Sequence, residues 1–157
     1  MKTLKIFFWA MLIVLLLAQF LSPDKNQDDG NTVSAFLLET KPPSEVQEIL
    51  AYCCYDCHSN HTNYPWYNAI TPINYWLSDN ITEGKSKLNF SKWNDYSTAK
   101  KDDKLAEIIE VVSEKEMPLE SYTWIHQEAN LSHDQMQELV NWAKQLRFKY
   151  SLESKPQ

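Results

Sequence analysis

Cys54-Tyr55-Asp56-Cys57-His58 is the stretch on which the reading of this chain turns. It has the form C-x-x-C-H, the pentapeptide on which c-type haem is covalently attached. Two thiols three positions apart can each add across a haem vinyl group, giving two thioether bonds. The imidazole on the next residue can then supply the proximal nitrogen to the iron. A zinc site wants a second ligand pair at matching spacing, and a dithiol oxidoreductase has no need of the histidine. The motif occurs once, which implies a single covalent haem c. Cys53 is excluded from the attachment by spacing, being one residue too far from Cys57 and adjacent to Cys54. It is expected to be a buried bystander or, if exported as a free thiol, a site for an intermolecular disulfide.

Outward from the motif the signals are helical. Ser44-x-x-Gln47 reads as a capping box after Pro43, and Val46, Ile49, Leu50 and Cys53 recur at helical spacing. That helix leads directly into Cys54. A second helix is expected over 73–83, with Ile73, Trp76, Leu77 and Ile81 on one face and Gly84 as its stop. A third fits 101–114 through Leu105, Ile108, Ile109 and Val112. The last opens on a second capping box, Ser132-x-x-Gln135, with Leu131 and Met136 as a hydrophobic staple. Its stripe of Met136, Leu139, Val140, Ala143 and Leu146 runs to about Tyr150, leaving 151–157 as a frayed tail. With only two glycines and little strand-like alternation, the fold class is mostly α. The expected architecture is a small cytochrome c-like helical haem domain over 44–150, joined by a linker over 22–43. Within that linker, 33–38 is apolar enough to pack back onto the domain.

The first segment reads differently. Lys2 and Lys5 precede an apolar run from Ile6 to Ala18 that continues to Leu21. This is the pattern of an export signal, here favoured as an uncleaved membrane anchor over 1–21 because no small-x-small cleavage pair follows. Asp24, Asp28 and Asp29 lie beyond it, so the positive-inside rule puts the domain on the periplasmic side of a bacterial cytoplasmic membrane. If the leader is cut, the domain is free in the periplasm. The net charge of −6 becomes −8 once the two leader lysines are set aside. Such a surface excludes nucleic acid as a partner and suits a redox partner protein with a basic docking patch.

The sixth position of the iron has a candidate in Met117, within Glu116-Met117-Pro118-Leu119. Pro118 disfavours helical geometry at the residue before it, which leaves the thioether on a constrained loop. His/Met ligation raises the reduction potential, as suits an electron carrier. Methionine is otherwise a core filler, the role expected of Met136. Of the other histidines, His61 is too close to His58 to reach the opposite face, and His133 belongs to the exposed first turn of the last helix. His126 is the rival ligand, its alternative role being a hydrogen bond that orders its loop. Tyr64, Trp66 and Tyr67, a few residues past His58, are expected to edge the haem. Trp76, Trp93 and Trp142 are expected in the core.

Taken together, Cys54 to Asn60, Tyr64-Pro65-Trp66-Tyr67, Leu88-Asn89-Phe90-Ser91-x-Trp93, Met117-Pro118-Leu119, Tyr122-x-x-x-His126, Leu131-Ser132 and Trp142 resemble the bacterial haem-binding domain family. The resemblance covers 33–147 in one order and spacing. It implies haem attachment at Cys54 and Cys57, His58 as proximal ligand and Met117 as the methionine of the Met-Pro element. One departure is Asn80, where members of that family often carry histidine; any role of that histidine in the pocket is lost or weakened here. The expected function is one-electron transfer by a non-enzymatic haem protein outside the cytoplasmic membrane. A haem-based sensor or small-ligand-binding module is the alternative.

Overall fold

The computed structural model describes residues 2–28 and 33–153. Among the described residues eight α-helices carry the fold: α1 Lys2–Ala18, α2 Ser34–Thr40, α3 Ser44–Cys53, α4 Tyr55–His58, α5 Ile73–Lys87, α6 Thr98–Ser113, α7 Glu120–Thr123 and α8 His133–Glu153. Short 3-10 turns at Trp66–Ala69, Phe90–Asp95 and Gln127–Ala129 connect them. Among the described residues there is no β-ladder, only an isolated antiparallel bridge between Gln27 and His61. The mostly α class is therefore observed.

The main core lies where α3, α6 and α8 meet the Phe90–Asp95 turn. Leu50, Phe90, Trp93, Leu105 and Leu139 are buried there, with Trp142, Ala143, Leu146 and Tyr150 continuing the α8 stripe. Phe36 sits at its centre. Its ring meets Phe90 at 4.7 Å, Trp93 at 5.0 Å and Trp142 at 6.1 Å, each edge-on, the geometry that aromatic quadrupoles favour. Within the stretch 22–43, expected as a linker, the apolar run 33–38 packs back onto the domain as expected, with Phe36 of α2 in the core. Glu39 at the end of that helix accepts from Lys101 Nζ at 2.7 Å and from the Tyr150 hydroxyl. Burial pushes the Glu39 carboxyl up, but these hydrogen bonds and the Lys101 charge together hold it below the usual carboxylate value. Arg147 joins α8 to α6 through a two-point pair with Asp102, at 2.7 and 3.0 Å.

Several boundaries differ from expectation. The capping box at Ser132 is present: Gln135 N donates to Ser132 Oγ and Ser132 N to Gln135 Oε1. The one at Ser44 is not. Pro43 occupies the N-cap position, so Ser44 is already helical and Gln47 turns back to the Pro42 carbonyl at 2.8 Å. Helix α6 begins at Thr98, capped by Ser97 Oγ. Helix α5 does not stop at Gly84 but continues to Lys87, and α8 runs on to Glu153, so 151–153 is helical; 154–157 lie outside the described residues. Trp93 and Trp142 are core, but Trp76 is exposed. The α5 face that packs is narrower than its pattern, with Leu77 and Ile81 buried in a second small cluster beside Tyr67.

Helix α1 is 17 residues long and none of them is buried. Among the described residues no helix is long and apolar enough to cross a membrane, which departs from the full spanning anchor expected over 1–21.

Candidate haem site

The C-x-x-C-H stretch forms one tight helical turn. Cys54 ends α3 and opens α4, with φ −126° and ψ −45° breaking the run between them. Its carbonyl accepts from Cys57 N at 3.2 Å and His58 N at 2.9 Å. Residues three and four apart on a helix share a face. Both thiols and the imidazole are thus presented together.

They line a cavity of about 690 Å³, inside the range of cofactor-sized pockets. Leu50 of α3, Asn80 and Gly84 of α5, Lys104 and Ile108 of α6, and the Met117-Pro118-Leu119 loop complete its wall. His58 and Met117 thus line one cavity from different elements. The loop bearing Met117 is folded back on the end of α6, where Glu116 N and Met117 N both donate to Val111 O, at 2.8 and 3.1 Å. Lys115 makes the turn with φ 60°.

His58 Nδ1 lies 3.0 Å from the Leu88 carbonyl. A carbonyl only accepts, so Nδ1 carries the proton and Nε2 keeps its lone pair. Burial pushes the His58 pKa down, against the opposing pull of the Leu88 and Gly84 carbonyls. The ring is held neutral and oriented, as a metal ligand requires. The thiols tell a complementary story. Burial raises Cys54 far above the ordinary thiol range, and burial with the nearby Asp56 charge pushes Cys57 up to about 11. These are neutral thiols, poorly suited to serve as thiolate ligands. Among the described residues no three His, Cys, Asp or Glu side chains converge to hold a metal ion. A thioether, being uncharged, suits such burial. The donor set and the cavity therefore fit haem.

Gly84 explains how α5 reaches the motif. A Cβ there would stand 2.8 Å from the Cys57 carbonyl oxygen and 3.2 Å from Cys57 Cβ. Alanine is the better helix former by about 1 kcal/mol, whereas overpacking costs about 1–3 kcal/mol. Gly84→Ala is accordingly expected to lower stability in a denaturant melt. A gain in stability would contradict the close approach. Glycine within a helical pattern was the signal available in the sequence.

The remaining site residues fall elsewhere. Tyr64, Trp66 and Tyr67, expected to edge the haem, do not line this cavity. Tyr64 Oη accepts from Asn26 N at 2.7 Å, and Trp66 is 76% exposed. Tyr67 is buried beside Cys57 and meets His126 Nε2 at 2.9 Å. His126 Nδ1 in turn lies 3.2 Å from Glu128 Oε1, and its ring stacks on Tyr122 at 4.2 Å. With both nitrogens engaged outside the cavity, His126 orders its loop. Tyr122 donates to Asp56 Oδ2 at 3.0 Å, which ties the segment after Met117 to the centre of the C-x-x-C-H turn. That link had no sequence signature. Cys53 is half-buried, also on the cavity wall, with Sγ 3.7 Å from the Ala129 carbonyl. His61 and His133 are exposed.

A family model described as a haem-binding domain matches residues 13–145. No curated protein and no solved structure matches the chain.

Proposed function

The chain belongs to the haem-binding domain family, and from that premise we propose that it holds one haem c covalently and carries single electrons outside the cytoplasmic membrane. One observation carries this reading. Cys54, Cys57 and His58 share a helical turn that faces the same cavity as Met117, a thioether from a separate loop. When bound, the haem iron supplies the one-electron chemistry. Cys54 and Cys57 would hold the ring edge and His58 Nε2 one axial position. Met117 Sδ would take the other, a pairing that raises the reduction potential. Leu50, Ile108 and Leu119 give the cavity an aliphatic part, which would favour the less charged state of the group. The acidic domain would meet a partner through a basic patch, with association slowing as salt rises.

The apolar α1 with Lys2 and Lys5 at its start supports export and a domain held at the outer surface, where covalent attachment would take place. Met117→Ala tests the axial assignment. The variant is expected to lose the weak near-red ferric band of a methionine-ligated haem and to fall in potential. An unchanged spectrum and potential would remove Met117 from the iron. A parent protein lacking that band and binding carbon monoxide readily would favour the small-ligand-binding alternative.

A further inference from the structure

The junction between α1 and the domain is built, not loose. The Gln19 side-chain amide makes a reciprocal pair with the Thr71 backbone, Nε2 to Thr71 O at 3.0 Å and Thr71 N to Oε1 at 2.9 Å. Two residues on, the Leu21 carbonyl accepts from Thr71 Oγ1 at 3.0 Å. Asn74 Nδ2 bonds Thr71 Oγ1 at 3.1 Å, and both Thr71 and Asn74 are buried. The end of the apolar helix is therefore clamped to the start of α5. The family match begins at residue 13, so this clamp lies inside the matched region.

Around the clamp the surface is apolar. Phe20 and Leu21 lie within it, Ile70 and Ile73 flank Thr71, and Trp66 and Trp76 lie a few residues to either side, all exposed. Tryptophan beside an apolar helix suits the boundary between hydrocarbon and headgroups, and isoleucine suits its hydrocarbon side. Length supports the same placement. Seventeen helical residues span about 26 Å at 1.5 Å each, a few ångströms short of a hydrocarbon core of about 30 Å. A helix that is apolar on every side has no polar face to leave in water, so a lipid-seated α1 would enter the bilayer rather than lie flat, although it is too short to cross it alone. The shortfall is met if the surface at its foot is itself drawn to headgroup depth.

We propose that Trp66, Ile70, Ile73 and Trp76 form a platform that seats the domain on a lipid surface, its tilt fixed by the Gln19–Thr71 clamp. This rests on the reading of α1 as lipid-seated and extends it, because the clamp would set the haem cavity at one height and orientation above the bilayer.

Hydroxyl-radical footprinting of the full chain tests it, in nanodiscs of phosphatidylethanolamine and phosphatidylglycerol with mass-spectrometric readout. Phe148 and Leu38, exposed on α8 and α2, serve as internal references. The expected result is several-fold slower oxidation of Trp66, Ile70 and Trp76 relative to those references. In Gln19→Ala/Thr71→Val that protection is expected to fall while the protein still copurifies with the nanodiscs. Incorporation with equal oxidation of platform and references would overturn the platform alone. Failure to incorporate at all would overturn the lipid seating as well, leaving the haem reading untouched.

Discussion

His58→Gly is expected to lose the low-spin ferric spectrum of the haem-loaded protein, and added imidazole is expected to restore it. His58 is half-buried, neutral and oriented by the Leu88 carbonyl at 3.0 Å on Nδ1, which leaves Nε2 with the free lone pair. Removing the ring forfeits a hydrogen bond worth about 1 kcal/mol. Glycine in a helix costs about 1 kcal/mol more. Neither loss alone unfolds a domain stabilised by about 5–15 kcal/mol. The spectral change would therefore report ligation rather than collapse, and rescue by imidazole would separate the two directly. A low-spin spectrum that survived the substitution without imidazole would place another nitrogen on the iron.

Phe36→Ala carries the largest expected cost in stability, about 3–5 kcal/mol for a fully buried phenylalanine. That is about a fifth or more of the total of about 5–15 kcal/mol for a domain of ordinary stability. The ring touches three other aromatic rings, from α8 and the Phe90–Asp95 turn, and none of these can fill its space without leaving its own. Urea denaturation followed by circular dichroism would measure the loss. A change below about 1 kcal/mol, the size expected of a surface site, would return residues 33–40 to the status of a tether.

Phe36 also shows how far this part of the fold could be read: the apolar run 33–38 was expected to pack back onto the domain, but not as a helix. Helix α2 has only seven residues, too few to display a period, and it follows a polar acidic stretch that resembles a linker. The long stripe of α8 and its Ser132 cap were legible because pattern and cap chemistry agree over 21 residues. The same S-x-x-Q spacing at Ser44 misled, since the fixed φ of Pro43 takes the cap position and moves Ser44 into the helix. At the site, the residues that line the cavity were legible where a short motif or a Met-Pro step carries them: Cys54, Cys57, His58 and Met117. The aromatics were not. After His58 the chain leaves the turn in extended geometry at Ser59, ψ 174°, and pairs with Gln27 at His61. Tyr64, Trp66 and Tyr67 are thereby carried off the cavity wall although they are near His58 in sequence. Trp76 failed as a core residue for a related reason: the cluster around Tyr67, Leu77 and Ile81 is too small to cover a wider stripe of α5.

The most direct measurement is a pyridine haemochrome assay on protein matured with the haem-attachment machinery, taken before and after extraction with acidified acetone. The expected result is one haem per chain that stays with the polypeptide and shows the spectrum of two thioether links. Haem released quantitatively into the solvent would contradict covalent attachment at Cys54 and Cys57.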